Sequence, residues 1–307
     1  MALLVAAFVA GCGGDGGGTG PTFANPGSPP EGPGAGDPGP AGPSPDLGLA
    51  APFGIAATAG VTNTPTAPIT TINGDVVLDP TLTCNAAAVP GGAGSAGFGT
   101  CGATTPSSIP VLNGTVIITG PTATSIKSDL TAAFFDITPP AGPPAAGTRG
   151  GATAIAAGTT LGEPTGSALV QGDNLFVPGL YQSITSILIT GDLTLDAQGN
   201  SNAVFIFQSS STVDTAAGIA TPGAHTRILL VGGAKASNVW WQVGTSATLG
   251  TFSEFQGNIL ASADITMETG ATSCGRLLAG AFTAGLFVFD SNVVSVPGHP
   301  SAPASCQ

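Results

Sequence analysis

The chain has 307 residues, enough for one large or two ordinary domains, and only 7% of them are charged. Five Lys and Arg stand against 17 Asp and Glu, a formal net charge of −12, which leaves no basic surface for nucleic acid or an anionic membrane. Gly (48) and Pro (27) crowd the first 46 residues, whereas apolar residues, 42% of the chain, crowd short strand-like runs. These features predict one mostly β domain whose surface is made of Thr, Ser, Asn, Gly and Ala.

Residues 1–12 form an apolar run that is too short to span a bilayer as a helix but suits the apolar part of an export signal. The run ends in Val9-Ala10-Gly11-Cys12, which resembles the lipobox of bacterial lipoproteins and predicts lipidation of Cys12. Residues 13–46 are predicted to form a disordered tether to a domain over 47–307. We therefore expect a cell-envelope lipoprotein, at the outer membrane or cell surface, that touches a membrane only through its lipid. A secreted protein is the alternative.

Four cysteines remain once Cys12 is set aside for lipid. In an exported chain four cysteines permit three pairings, and proximity in sequence favours Cys84–Cys101 with Cys274–Cys306. The first bridge would close a Gly/Ala-rich loop, and the second would fix the C-terminal tail.

The folded domain is expected to open with strands in 47–55 and 60–64, followed by strands at 73–78 and 113–118 and then by one helical candidate. From Thr124 to Ile137, apolar residues recur at positions 126, 130, 133, 134 and 137, which is the pattern of an amphipathic helix. The pattern begins at a Thr/Ser cap and stops before Pro139. The apolar face of this helix is expected to lie along the strands that follow.

From residue 186 to residue 292 the chain carries an 18-residue repeat. A fixed period of this size, with Thr and apolar residues at matching positions, is typical of a β-solenoid, and a coil of this length divides into three sides of about six residues. The apolar runs 204–208 and 239–242 are predicted to be sides covered on both faces, inward by the coil core and outward by the helix. The repeat places four pairs in one register: Thr194-Leu195, Thr212-Val213, Thr248-Leu249 and Thr266-Met267.

Several segments resemble, in the same order, the microbial ice-binding (antifreeze) domain, from about Leu47 to about Val296. The resemblance implies an all-β dominated fold: a right-handed, irregular β-solenoid of triangular section, with a long α-helix alongside and the first coils packed beside the last. It also implies an ice crystal surface as the partner. The segments that carry the resemblance are 47–64, Asp129-Leu130-Thr131-Ala132-Ala133, 177–181, 193–199, 203–208, 236–244 and 257–261.

Alternation along the strands supplies the candidate ice-binding residues. If the apolar residue of each repeat points inward, its Thr points outward. Stacked coils place equivalent residues about 4.7–4.9 Å apart, close to a repeat of the ice lattice, and Thr offers a hydroxyl and a methyl on a stiff χ1. A second file is expected near the corner, where Thr269-Gly270-Ala271-Thr272 resembles a motif of some ice-binding members. The candidates are Thr194, Thr212, Thr248 and Thr266 in the first file, and Thr215, Thr251, Thr269 and Thr272 in the second.

The same alternation turns Asp196, Asp214 and Glu268 outward, and stacked carboxylates are strongly hydrated and repel one another. The threonines could instead be ordinary strand residues with high β-propensity. The alternative function is a non-catalytic envelope module for adhesion or structure, with an extracellular glycan or cell surface as its partner.

Neither an enzyme nor a cofactor is predicted. The five basic residues do not cluster in the sequence, so Asp196 and Asp214 have no charge partner for a lyase or hydrolase site. His225 and His299 lack ligand spacing to any Cys, so no metal site is predicted. The chain is expected to act as a monomer.

Overall fold

The computed structural model describes residues 39–65, 67–90, 97–142, 144–221 and 224–306. Cys12 and residues 13–38 of the predicted tether lie outside these ranges. Within them, short strands stack into three sheets and pair in parallel, apart from one short hairpin. One α-helix, α1 (Pro121–Asp136), lies alongside. The arrangement confirms the predicted three-sided β-solenoid with one long helix.

Each sheet forms one side of the solenoid, and successive coils add one strand to it. In stacking order, sheet A contains Val116–Ile118, Asp75–Leu78, Phe53–Ala57, Leu277–Leu278, Asn258–Ala261, Val239–Val243, Phe205–Ser209, Gly179–Ser183 and Thr153–Ile155. Sheet B contains Thr160–Leu161, Ile187–Ile189, Val213–Thr215, Ala247–Leu249, Ile265–Met267, Phe287–Asp290, Val61–Thr64, Thr83–Cys84 and Ala87–Ala88. Sheet C contains Leu175–Phe176, Asp192–Asp196, Arg227–Val231, Glu254–Gln256, Thr272–Cys274, Val293–Ser295, Thr71–Asn73 and Val111–Asn113. Short 3-10 helices lie at Gly48–Ala50, Pro106–Ser108, Ala236–Asn238 and Ala304–Cys306.

The separation in sequence between paired strands gives the length of each coil. Ala247 pairs with Ile265, so this coil has the period that the repeat predicts. The two preceding coils are longer than that period, because Val213 pairs with Ala247 and Ile187 pairs with Val213. Solenoids accept insertions at their corners without losing strand register, and residues 216–221 and 224–226 lie at such a corner.

Aromatic side chains stack inside the coils. The rings of Tyr181 and Phe207 are 5.3 Å apart, and those of Phe207 and Trp241 are 4.2 Å apart and nearly parallel. The three residues occupy equivalent positions on neighbouring strands, so strand register produces the ring stack. Trp241 is fully buried, and its indole N–H donates to the backbone oxygen of Gln256 at 3.1 Å. The aromatic runs therefore belong to the core, as predicted.

Helix α1 covers the outer face of sheet A. Its buried side chains, among them Ile126 and Leu130, pack against Ile206 and Trp240, which point outward from their strands. The prediction that this side is covered on both faces is confirmed. The predicted start at a Thr/Ser cap is wrong, because the helix begins earlier, at Pro121, after Gly120. Proline suits the first helical turn, since its missing N–H would have no helical partner there.

The first coils pack beside the last, as the resemblance implies. Ile55 pairs with Leu277 on sheet A, and Val61 pairs with Phe287 on sheet B. Arg276 fastens this junction, because its Nε donates to the backbone oxygen of Ala51 at 2.6 Å. Burial lowers the pKa of Arg276 to about 10.

The packed region begins before residue 47. Ala41 is buried against the cluster beneath α1, and the guanidinium of Arg149 donates to the backbone oxygens of Ala41 and Pro43. The indole N–H of Trp240 donates to the Ser44 hydroxyl at 3.1 Å. The predicted tether boundary at residue 46 is therefore too late, since the sequence does not show that these small residues cover an apolar sheet.

Both predicted disulfides are present. Cys84 and Cys101 have Cα atoms 4.9 Å apart, and the bridge closes the loop between them. Cys274 and Cys306 have Cα atoms 5.3 Å apart, and this bridge fixes the tail to sheet C. None of the described helices is long and apolar enough to cross a membrane.

We expect Trp241→Ala to lower the free energy of unfolding by about 3–5 kcal/mol, because it leaves a cavity in the ring stack. Equilibrium urea unfolding measures the change. Ile184→Ala is the control, because Ile184 is 72% exposed and its truncation should change stability by no more than about 0.5 kcal/mol. Similar losses in the two variants would contradict the central role of the stack.

Candidate functional site

The three sides of the solenoid differ in what covers their outer faces. Sheet A is closed, because α1 and residues 41–47 bury its outward side chains. An extended ligand surface therefore has to lie on sheet B or sheet C.

Sheet C carries charges and is crossed by the C-terminal tail. Arg227 pairs with Asp192 on the neighbouring strand through two hydrogen bonds, of 2.9 and 2.7 Å. These bonds raise the pKa of Arg227 above its ordinary value. The tail lies over part of the same face and is held there by Cys306. The face is therefore neither flat nor uncharged.

The outer face of sheet B is open. The strands that carry its outward residues pair in parallel and in register, and the two residues that flank each central outward residue are buried. Buried neighbours hold the strands rigidly, so the outward side chains form a regular row. We call these in-register outward positions the central row: Leu188, Asp214, Thr248, Thr266, Val288 and Thr62.

Thr248 and Thr266 are adjacent in the central row. Both side chains are partly exposed. Among the described residues, neither hydroxyl has a hydrogen-bond partner, so both can bind surface water. The structure thus brings together two of the four threonines predicted for the first file.

The other two members of that file lie elsewhere. Thr212 immediately precedes the sheet B strand Val213–Thr215, so it lies outside the central row. Thr194 is on sheet C, where it pairs with Leu229 and is 5% exposed. The single four-threonine file is therefore wrong. The step from Thr194 to Thr212 equals one repeat period in the sequence, but it runs from sheet C past a strand of sheet A to the start of sheet B.

The second predicted file is also divided. Thr215 points into the core, where its Oγ1 accepts a hydrogen bond from the backbone N–H of Gly250 at 2.7 Å. Thr272 lies on sheet C. Thr251 and Thr269 lie at the corner that follows sheet B, where they are engaged by carboxylates.

Threonine hydroxyls at the edges of sheet B donate hydrogen bonds to carboxylates. Thr251 donates to Glu268 at 3.0 Å, and Thr269 donates to Asp290 at 2.6 Å. Just before the strand Val213–Thr215, the hydroxyl of Thr212 donates to Asp214. Each of these threonines satisfies a carboxylate, which leaves its hydroxyl less available to external water.

The acidic residues predicted to line up with the threonines do not form one stack. Asp196 lies on sheet C, whereas Asp214 lies in the central row between Leu188 and Thr248. One carboxylate therefore interrupts the row. Among the described residues no three His, Cys, Asp or Glu side chains meet as a metal site.

Besides Asp214, three members of the central row are missing from the predicted file. Leu188 is apolar and 40% exposed, and so is not marked by a Thr pattern. Val288 and Thr62 join the row because the first coil packs beside the last, with Thr62 opposite Val288. These two residues lie near opposite ends of the chain, which hides their contact from any short-period search.

The chain is similar to known ice-binding proteins over much of its length. The ice-binding-like family profile matches residues 55–286. A curated ice-binding protein of Nostoc sp. (strain HG1) is 42% identical over 130 residues, which cover 42% of this chain and 44% of that protein. One of Flavobacterium frigoris (strain PS1) is 37% identical over 114 residues, 37% of this chain and 38% of that protein. The matches thus span less than half the length of these relatives.

Solved structures extend the similarity to the whole fold. The ice-binding protein of the Antarctic ascomycete Antarctomyces psychrotrophicus superposes with a TM-score of 0.60 at 34% sequence identity, and the match covers 82% of this chain and 98% of that chain. An ice-binding protein from an Antarctic biological consortium superposes with a TM-score of 0.58 at 31% identity, covering 82% and 90%. Because the family profile spans most of the chain and these structures share its architecture, the chain belongs to the ice-binding-like family.

Proposed function

We propose that this protein adsorbs to ice crystals, as a monomer, through the outer face of sheet B, and so inhibits ice growth or recrystallisation. The observation that carries the proposal is the central row, in which Thr248 and Thr266 stand next to each other with unengaged hydroxyls. The relatives named as ice-binding proteins support the same activity. They lend no support to an adhesive or structural module, and we propose no catalytic role and no cofactor.

The geometry of the row suits an ordered water layer. Neighbouring strands repeat at about 4.7–4.9 Å, and the stiff χ1 of Thr fixes each hydroxyl and methyl relative to the backbone. Because the strand ladder and the buried core hold these groups before ice is bound, little ordering cost remains at adsorption.

Apolar members of the row complete a mixed surface. Leu188 and Val288 present methyl groups on the same face as the two threonines. Water beside these methyl groups hydrogen-bonds to other water molecules, while the neighbouring threonine hydroxyls hydrogen-bond to it directly. Asp214 is the exception, because a carboxylate holds its own hydration shell.

The remaining faces suit ice less well. Helix α1 buries sheet A, and the Asp192–Arg227 ion pair and the tail occupy sheet C. Sheet B is therefore the side that combines exposure, regularity and low charge.

We expect Thr266→Tyr to abolish most ice-recrystallisation inhibition, because a ring projecting from the centre of the row prevents flat contact with a crystal. Thr71→Tyr is the matched control, since Thr71 occupies an outward position on sheet C. Recrystallisation assays and thermal hysteresis on both folded variants measure the effect. Full activity of folded Thr266→Tyr, or an equal loss in the control, would remove sheet B from consideration.

Asp214→Thr should strengthen inhibition, because it replaces the interrupting carboxylate and creates three adjacent threonines. We expect activity at a lower protein concentration, with a stability change within about 0.5 kcal/mol. Asp196→Thr provides the comparison, since Asp196 belongs to the same sequence repeat but lies on sheet C. If Asp196→Thr gave the same gain, the site would be described by the threonine file predicted from the sequence and not by the central row.

We further propose that the protein is exported and anchored by a lipid on Cys12. Two disulfides support an oxidising destination, and the lipobox-like Val9-Ala10-Gly11-Cys12 supports the anchor. Secretion without a lipid is the alternative.

Radiolabelled fatty acid should enter the wild-type protein and not Cys12→Ser. The expected result is complete loss of label, together with release of the variant into the medium. Equal labelling of both proteins would disprove anchoring at this residue.

A further inference from the structure

A cavity of about 590 Å³ lies between the outer face of sheet C and the C-terminal tail. Ligand pockets in proteins commonly have volumes of about 300–1,000 Å³. The cavity is on a different side of the solenoid from the central row and plays no part in the proposed contact with ice.

The two walls of the cavity are fixed before any ligand binds. The strands Glu254–Gln256, Thr272–Cys274 and Val293–Ser295 form the floor. The tail residues Ser301, Pro303, Ser305 and Cys306 form the opposite wall. The Cys274–Cys306 disulfide joins the walls, and Ala302 packs in the same apolar cluster as Ala236.

Gln256 supplies an unsatisfied acceptor. Its side-chain Oε1 is buried and accepts no hydrogen bond from any described residue. The backbone oxygen of the same residue accepts the indole N–H of Trp241, which fixes the main chain at this point. A buried acceptor in this state is unfavourable unless a ligand or a water donates to it.

Other polar groups line the same space. The hydroxyls of Thr272, Ser301 and Ser305 face no side-chain partner among the described residues. By contrast, the amide of Asn73 donates to the Ser295 hydroxyl at 2.9 Å, so these two floor residues satisfy each other. The cavity therefore offers several hydroxyls to a ligand, beside one buried amide oxygen that lacks a donor.

The charge of the cavity favours a neutral ligand. Glu254 is the carboxylate in the lining, and it would repel an anion. Its Oε1 contacts His225 Nε2 at 2.9 Å, and Arg227 stands opposite it on the next strand, so its charge is already engaged and offers little to a cation.

The lining combines these polar groups with an apolar strip of Val293, Pro303 and the disulfide. A sugar has matching chemistry, since its hydroxyls both donate and accept while its C–H face is apolar. We propose that the cavity binds a neutral disaccharide, either free or as a unit of a longer glycan.

Calorimetric titration of the full chain with maltose and with cellobiose tests this site, and amide NMR locates it. At least one sugar should bind saturably, with shifts confined to residues 254–256, 272–274, 293–295 and 301–306. Glucuronate, an anion, should not bind. If the protein is also retained on amylose or cellulose, the natural ligand is a unit of a longer glycan. If the protein binds the disaccharide in titration but is not retained on either polymer, the ligand is a free sugar. Either result supports the site.

Gln256→Met should weaken sugar binding about tenfold, the loss expected for one hydrogen bond. Its melting temperature should stay the same or rise, because the substitution removes an unsatisfied buried oxygen. Ser301→Trp should abolish binding by filling the space from the tail.

Both variants should keep their ice-recrystallisation inhibition, and Thr248→Tyr should keep its sugar binding, so the two sites can fail separately. The proposal is overturned if neither sugar binds, or if Ser301→Trp binds as the wild type does.

Discussion

The parallel, in-register stacking of the coils is the constraint on which the rest of the structure depends. Register places Tyr181, Phe207 and Trp241 in one ring stack inside the solenoid. The same register places Thr248 beside Thr266 outside it. A slip of one residue would exchange the two faces of a strand, so the buried rings indirectly hold the exposed threonines in line. Interior packing and the surface pattern are consequences of one ladder.

Four basic residues link parts of the molecule that strand pairing does not connect or reinforce strands that it does. Arg149 ties α1 to residues 41–43 through Asp136 and two backbone oxygens. Arg276 holds the first coil to the last, and Arg227 links two strands of sheet C through Asp192. Lys127 on α1 stands 3.8 Å from Asp79. None of the five basic residues lies on a strand of sheet B, so these strands carry no cation to attract hydrated anions.

The sequence predicts the fold better than it predicts the site, and the reason is physical. Apolar alternation, one amphipathic helix and short cysteine separations are local, so they identify the solenoid, α1 and both disulfides. The file of threonines depends instead on where each coil turns its corners. The coils that precede the Ala247–Ile265 pairing are longer than the repeat period, so a search at constant period includes Thr194, which lies on sheet C. Thr62 joins the row through a contact that no local pattern records.

The difference between the centre and the corner of sheet B explains why some threonines suit ice and others do not. At the corner, Thr251 and Thr269 are regularly spaced, since their turns are equally long and the backbone N–H of Phe252 donates to the Thr269 oxygen at 3.0 Å. Their hydroxyls, however, bond to Glu268 and Asp290, which keeps these carboxylates partly satisfied at the edge of the face. In the centre, backbone hydrogen bonds set the spacing and leave the hydroxyls of Thr248 and Thr266 unengaged. A match to ice therefore needs more than regular spacing, because only hydroxyls without a carboxylate partner are available to surface water.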